Sequence, residues 1–502
     1  MSKKKILLFS PKPTKNQYYK YAPLSLLAIS SLLSEEYEIK IIVARPGIDY
    51  VAQIIEEAKD SFAVGITVLT GYPIKEALDV SRKIKKIRSD IPIIWGGRHP
   101  TIAPRQTISD CAVDFVIVGQ GERSFSELVK QIETAKEFEE ISGLVWKKNG
   151  EIIFNKERAF ENINNFPSLN YSLLGNVDKY IQTSELGNRT INYISSIGCP
   201  YKCKFCSEPK TCYCRWSGLT AERVVSEITQ LVKDYRVDGV IFNDSNFFVD
   251  KNRVKKIAEG FINNKLNIRW GEVNGRVDTL LNLDDDLWQL IAKSGCHRIL
   301  IGAESGWQNA LDLIDKRITP EQILKVTEIC NHHNICLIFS LMIGLPFSDL
   351  KNMAKNTFIE MEFTQTCKLI DDVLRISLIK HHFLLFVYTP YPGSVFYEDS
   401  IKLGFKPPTN LEEWAEFELN KLYIPWVPKK YNFISGQLTE YIFPLLSQIY
   451  KSRLNSFKHF KYLAIVAYSF FQNLAVLRWK LKFFHLSIDY FLFRKLIFMR
   501  NK

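Results

Sequence analysis

Strand-sized apolar runs alternate with helix-length amphipathic stretches along the first 135 residues. The runs are Ile6–Ser10, Ile39–Ala44, Phe62–Thr67, Ile91–Trp95 and Phe115–Val118, and segments such as Ile74–Ile87 carry apolar residues at helical spacing. This rhythm predicts an α/β domain over 1–135 built on a parallel, doubly wound sheet. Over 136–185 the pattern becomes that of a linker. Two alternating runs flank Asn149-Gly150, a hairpin signal, and an Asn- and Pro-rich segment follows from Asn162 to Tyr171. The strand–helix rhythm restarts over 186–405, with strands expected at Ile191–Ile197, Gly239–Asn243, Ile268–Glu272, Arg298–Ile301, Cys336–Ile343 and Phe383–Tyr388. Six such units predict a partial, TIM-like (β/α)6 barrel, whose chemistry gathers at the carboxyl ends of its strands. Residues 406–502 read as a basic, largely helical region.

Composition narrows the class. At 502 residues, with 46% hydrophobic and 24% charged residues, the chain is globular and long enough for two or three cores. Ten cysteines are too sparse for a disulfide scaffold and suit a reducing cytosol. Met1-Ser2-Lys3-Lys4-Lys5 runs straight into an apolar strand, so no secretory signal is expected and the location expected is cytoplasmic. The net charge of +12 is concentrated at one end, because Lys451–Lys502 holds eleven Lys/Arg and one acid, Asp489. Those basic residues are interleaved with Phe, Leu, Ile and Trp, which suits an anionic membrane surface rather than a nucleic-acid groove. The 17-residue run Lys461–Leu477 is interrupted by Gln472 and Asn473, and a spanning helix needs about 20 apolar residues. Two readings of residues 440–502 therefore stand: amphipathic helices lying peripherally on the cytoplasmic membrane face, or a helical cap on the barrel.

Candidate chemistry centres on Gly198-Cys199-Pro200-Tyr201-Lys202-Cys203-Lys204-Phe205-Cys206. Three thiolates at CxxxCxxC spacing can hold three irons of a [4Fe–4S] cube and leave the fourth open. A structural zinc would want four ligands, which Cys212 and Cys214 could complete. By default these two, with Cys296, Cys330, Cys336 and Cys367, read as buried bystanders. In the N-terminal domain the strand ends carry small or permissive residues: Gly65 to Gly71 with Thr67 and Thr70, then Gly96-Gly97-Arg98-His99-Pro100-Thr101, then Gly119-Gln120-Gly121-Glu122. They are turn residues or a ligand cradle, since ligands of such sheets sit beyond the strands' carboxyl ends. The later strand ends carry Asp244, Arg276, Glu304-Ser305-Gly306, Met342-Ile343-Gly344-Leu345-Pro346 and Tyr391-Pro392-Gly393-Ser394. Any one of them can be a plain rim turn; equally, an Arg can clamp a carboxylate and a polar strand end can bond an adenine edge.

The cysteine loop resembles the signature of the radical S-adenosylmethionine (SAM) superfamily, in which SAM chelates the open iron. The N-terminal third, with Pro23-Leu24-Ser25-Leu26-Leu27, the Gly-Gly-x-His-Pro-Thr loop and the Gly-x-Gly-Glu loop, resembles the flavodoxin-like cobalamin (B12)-binding domain that precedes many radical SAM cores. Gln120 stands where such domains often have Glu, Ser394 replaces a Thr, and Phe347-Ser348-Asp349 replaces a Gly-Glu pair. The Asp-x-His-x-x-Gly motif that brings a histidine to cobalt is missing, so the resemblance implies a base-off corrinoid without a protein histidine ligand, and His99 is read as a hydrogen-bonding loop residue. It also implies cobalamin contacts from Thr67, Thr70, Gly96, Gly97, His99, Gly119, Gly121 and Glu122. SAM contacts are implied for Asp244, Arg276, Glu304, Ser305, Met342, Ile343 and Gly344, and Tyr391, by its place after the sixth strand, is the residue expected to face substrate as a catalytic group. The activity implied is that of a cobalamin-dependent radical SAM methyltransferase: one SAM supplies methylcobalamin, a second a 5′-deoxyadenosyl radical, and an unactivated carbon of a small-molecule or lipid substrate is methylated. A flavodoxin or ferredoxin would supply electrons, and no nucleic acid is expected. Cyclisation or oxidative rearrangement without methyl transfer is the rival within the family, and a corrinoid and iron–sulfur sensor or electron carrier is the rival outside it.

Overall fold

The computed structural model describes residues 3–134, 137–347, 355–376, 381–418, 422–447, 461–485 and 487–498. The chain forms two compact units, one of 1–271, 391–397 and 406–418, the other of 272–390, 398–405 and 419–502.

The first unit opens with a seven-stranded sheet: β1 (Lys5–Ser10), β2 (Glu38–Val43), β3 (Ser61–Thr67), β4 (Ile93–Gly96), β5 (Phe115–Ile117), β6 (Leu144–Lys148) and β7 (Glu151–Phe154). Their order is β2-β1-β3-β4-β5-β6-β7, with the first five parallel. That is the flavodoxin-like order, and all five strands fall where the apolar runs predict. Leu7, Leu8 and Phe9 are fully buried in succession, as a parallel strand covered on both faces requires. The helix Tyr72–Ile87 starts after Gly71 at φ 100°, buries Ile74, Ala77, Leu78 and Ile84, and ends on Lys85 and Lys86, which suit its negative end. The Asn149-Gly150 hairpin forms with both residues at positive φ. It is more than a connection: β6 pairs antiparallel with β5, Phe115 opposite Trp146, and extends the sheet by two strands.

The same unit holds β8 (Thr190–Tyr193), β9 (Ser196–Gly198), β10 (Trp216–Gly218), β11 (Gly239–Phe242) and the start of β12 (Arg269–Gly275). Strands β8, β11 and β12 are parallel, β11 lying between the other two. The single strand expected over Ile191–Ile197 breaks after Tyr193, and β9 pairs instead with β10, antiparallel. The cause is Asp244. Its buried carboxylate accepts the Ser195 N–H at 2.7 Å and the Ser195 and Ser196 hydroxyls at 2.6 and 2.5 Å, while Arg253 holds the Ser195 carbonyl at 2.9 Å.

In the second unit β12 continues into β13 (Cys296–Glu304), β14 (Cys336–Ile343) and β15 (His382–Val387), with β13, β14 and β15 parallel and in sequence order. The parallel strand–helix succession of a partial barrel thus persists. The C-terminal region is helical, at Lys429–Gln437, Lys461–Leu481 and Ile488–Phe498. Tyr468, Phe471, Ala475 and Trp479 are buried, Arg478 pairs with Asp489, and the Tyr441 hydroxyl donates to Asp489 at 2.9 Å. Among the described residues no helix is long and apolar enough to cross a membrane.

Candidate active site

Within the first unit a cavity of about 380 Å³ opens at the carboxyl edge of the seven-stranded sheet. That size is ordinary for a small-molecule site, and the edge is where doubly wound sheets take ligands. Its walls are mainly apolar, with Leu24, Ile29, Phe125, Phe166 and Ile197 among them. Thr67, Gly96, Gly97, Gly119, Gly121 and Glu122 all line it. The loops they belong to are tied together, because the Thr101 hydroxyl donates to the Gly97 carbonyl at 2.8 Å and accepts the Gly119 N–H at 3.0 Å. Gly97 is required at φ 104°, where a Cβ would come within 3.0 Å of the Val68 backbone. Burial pushes the Glu122 carboxyl up. Gln120 also lines the cavity, with its Nε2 buried and without a hydrogen-bond partner. An amide-rimmed macrocycle such as a corrin suits an apolar slot with a spare amide donor at its edge.

His99 and Thr70 lie outside this lining. The His99 ring is fully buried, with Nδ1 3.3 Å from the Thr70 hydroxyl and an edge against Trp414 at 5.4 Å between ring centres. Burial holds its pKa down to about 3, so it is neutral. Its Nε2 is buried without a hydrogen-bond partner, and no histidine lines the cavity among the described residues.

The opposite wall of the cavity comes from the cysteine loop: Gly198, Glu208, Thr211 and Cys212. Arg98 of the glycine loop pairs with Glu208 at 2.7 Å, and Glu208 also accepts from the Ser245 hydroxyl at 2.8 Å. Cys199, Cys203 and Cys206 are not in disulfides. The Cys206 sulfur accepts the Glu208 N–H at 3.4 Å, and desolvation pushes its thiol up to about 12. Such a thiol ionises only against a strong positive partner, which an iron supplies. Among the described residues the one group of three with ligand atoms within 4.8 Å of one another is Asp285, His332 and His333. Cys212 is buried, and its sulfur accepts the Cys199 N–H at 3.4 Å and donates to the Glu208 carbonyl at 3.0 Å. It braces the loop. Tyr391 belongs to the same unit: Phe396 of its segment donates its N–H to the Lys204 carbonyl at 3.1 Å, and the Tyr391 ring meets Phe417. Burial pushes its phenol up to about 12, with the nearby Arg98 opposing.

The second unit carries the remaining candidates. Glu304 ends β13 at φ 61°, buried, with its carboxylate 2.6 Å from the Lys316 ammonium. Gly302 lies beneath the pair, and a Cβ there would crowd the Glu304 carboxylate and the Lys316 ammonium. Arg276 grips Asp278 through two nitrogens at 3.0 and 2.8 Å and donates to the Lys316 carbonyl at 2.8 Å. Ser305 is buried, its hydroxyl 3.4 Å from that of Thr366 and accepting the Trp307 N–H. Met342 and Ile343 are buried at the end of β14, and Gly344 at φ 84° donates its N–H to Glu362 at 2.5 Å. Asp244, which belongs to the first unit, is committed to the serines that precede the cysteine loop, where the sequence suggests an open carboxylate. Arg98–Glu208, Lys316 and Glu362 are the site residues that sequence reasoning misses.

Burial pushes the Glu362 carboxyl up to about 8, against about 4.3 in an unfolded chain. Between those values the folded state keeps a proton that the unfolded state has lost, so stability falls as pH rises from about 5 to 8. Glu362→Gln keeps an acceptor for Gly344 and removes that slope, which approaches about 1.4 kcal/mol per pH unit for one proton. Denaturant midpoints at pH 5, 6.5 and 8 measure it, and an unchanged slope in the variant refutes the assignment.

Residues 14–129 match the B12 binding domain and residues 193–355 the radical SAM superfamily. The chain is a radical SAM enzyme with a B12-binding domain. It is similar to an uncharacterized methyltransferase of Pyrococcus horikoshii, 29% identical over 407 residues, covering 79% of this chain and 83% of that one. It is also similar to the anaerobic magnesium-protoporphyrin IX monomethyl ester cyclase of Rubrivivax gelatinosus, 25% identical over 56% of this chain and 51% of that one. Two solved structures share its fold. The cobalamin-dependent radical SAM enzyme OxsB with aqua-cobalamin bound has a TM-score of 0.71 at 17% identity, covering 99% of this chain and 75% of that one. The radical SAM methyltransferase TsrM from Kitasatospora setae, with cobalamin and a [4Fe–4S] cluster bound, has a TM-score of 0.62 at 16% identity, covering 82% and 81%. The matched B12-binding and radical SAM domains support cobalamin, SAM and an iron–sulfur cluster as cofactors of this chain.

Proposed function

We propose that this enzyme methylates an unactivated carbon of an apolar small-molecule or lipid substrate, with SAM as the methyl source and a base-off corrinoid that takes no histidine from the protein. What carries the reading is the shared cavity of the first unit, lined on one side by the glycine loops of the B12-binding sheet and on the other by the cysteine loop. Carbon-to-carbon methyl transfer needs the methyl carrier and the radical generator to address one substrate position, and adjacent walls of one cavity serve that need. The methyltransferases among the relatives and solved structures support it.

The three cofactors supply reductive SAM cleavage and a methyl carrier when bound. The protein's own part is positional. Cys199, Cys203 and Cys206 present the thiolates, and the Cys212 sulfur fixes the backbone of the first. The Arg98–Glu208 pair clamps the glycine loop to the cysteine loop, so that the two walls keep one spacing. Leu24, Ile29, Phe125 and Phe166 keep water from a radical. The second reading, ring closure or oxidation without methyl transfer, is favoured by the cyclase relative.

Incubation of the reconstituted enzyme with CD₃-labelled SAM and a lipid extract separates the two. A product carrying three deuteriums on a new carbon–carbon bond is the expected outcome. A product altered without label overturns methylation in favour of the cyclase-like reading.

A further inference from the structure

The helix Lys461–Leu481 departs from the amphipathic pattern expected of it. One side packs into the second unit through Tyr468, Phe471, Ala475, Arg478 and Trp479. The opposite side presents Val466, Phe470, Leu477 and Leu481, spaced i, i+4, i+11 and i+15 and therefore on one stripe. They are exposed, Phe470 by 61% and Leu481 by 67%. A helix with one face packed and the other in water normally turns charged residues outward. The helix Ile488–Phe498 repeats the arrangement: Tyr490 and Phe493 are buried, whereas Ile488 (71%), Phe491 and Leu492 are exposed.

Cations predominate around this apolar surface, and the acids beside it are paired, Glu440 with Arg494 at 3.8 Å and Asp371 with Lys482 at 3.0 Å. Lys480 and Lys495 are exposed on these helices, Lys495 one turn from Phe491. The single acid of the tail, Asp489, is turned inward, where it pairs with Arg478 and accepts from Tyr441. The two helices therefore offer apolar side chains with cations and no exposed carboxylate of their own, over a stretch whose charge is +10 from eleven Lys/Arg and one acid. A protein partner would ordinarily be met by charges of both signs. An anionic bilayer asks for this combination, with aromatic and aliphatic side chains entering the headgroup boundary and lysines reaching the phosphates.

We infer that the helices Lys461–Leu481 and Ile488–Phe498 form a docking face for an anionic lipid surface. The face lies in the second unit and does not depend on whether the reaction is a methylation.

The test uses the intact, cofactor-loaded enzyme and vesicles of phosphatidylglycerol or of phosphatidylcholine, sedimented at low and high salt. The expected result is pelleting with phosphatidylglycerol that weakens with salt and is at least tenfold poorer with phosphatidylcholine. Phe470→Glu with Leu481→Glu abolishes pelleting while SAM cleavage and bound cobalamin stay at the parent level, showing that the fold is intact. Lys480→Glu with Lys495→Glu lowers affinity for phosphatidylglycerol by roughly fivefold for each lysine charge lost. Wild-type enzyme that stays in the supernatant with phosphatidylglycerol at low salt overturns the inference, as does a Phe470→Glu, Leu481→Glu variant that pellets as well as the parent. A wild-type dimer that the same double substitution dissociates, without vesicle binding, assigns the face to a second copy instead and equally overturns it.

Discussion

Cys199→Ala, Cys203→Ala or Cys206→Ala each abolishes SAM cleavage by anaerobically reconstituted enzyme, with loss of most of its iron. In the proposed ligand set each thiolate holds a different iron, so no neighbour can take over a vacated position, and an incomplete cube cannot keep one iron open for SAM. Cys214→Ala leaves iron content near normal. Cys212→Ala also keeps its cluster, because the Cys212 sulfur touches the Cys199 N–H and the Glu208 carbonyl, contacts that brace the loop. Loss of such a supporting contact lowers activity by about tenfold to a hundredfold. Iron and sulfide analysis with 5′-deoxyadenosine release distinguishes the two classes. A Cys203→Ala protein that retains four irons and cleaves SAM, or a Cys214→Ala protein that loses them, refutes the ligand set.

What the sequence makes legible is local. Five parallel strands can be placed from apolar runs because a strand covered on both faces must be continuously apolar, as Leu7-Leu8-Phe9 is. The cysteine loop is legible because its spacing spans eight residues. What escapes is what burial decides over long sequence distances. Glu304 reads as an open ligand, yet Lys316 meets it at 2.6 Å in the interior. Asp244 sits at a strand end like a ligand, yet its oxygens go to Ser195 and Ser196, about fifty residues earlier. Glu362 lies mid-helix with no motif around it, and only its contact with Gly344 reveals it. The tail shows the same limit from the other side. Its apolar and basic residues predict amphipathic helices, but one face is claimed by packing against Tyr441 and its neighbours and the other remains apolar. A composition cannot say which residues of an apolar helix become core.

The second large effect concerns the corrinoid. Gly96→Phe yields a folded enzyme with a normal cluster and little or no bound cobalamin. Gly96 ends β4 and lines the cavity, and a Cβ added there finds its nearest neighbour, Ile117, at 3.9 Å. The backbone is not at a positive φ, so the substitution strains neither the strand nor the loop, unlike a change at Gly97. A phenyl ring grown from that Cβ must occupy space that the ligand needs. Overpacking of this kind costs about 1–3 kcal/mol, a weakening of roughly fivefold to 160-fold in affinity. Bound cobalamin is read from the visible spectrum after reconstitution, and iron content reports the cluster separately. Because Gly198, Glu208, Thr211 and Cys212 line the same cavity, the variant also separates the two cofactors' contributions. SAM cleavage persists, since the cysteine ligands are untouched, whereas methyl transfer to substrate stops. Full cobalamin occupancy in Gly96→Phe would place the corrinoid somewhere other than this cavity, and with it the methyl carrier that the proposed reaction needs beside the cluster.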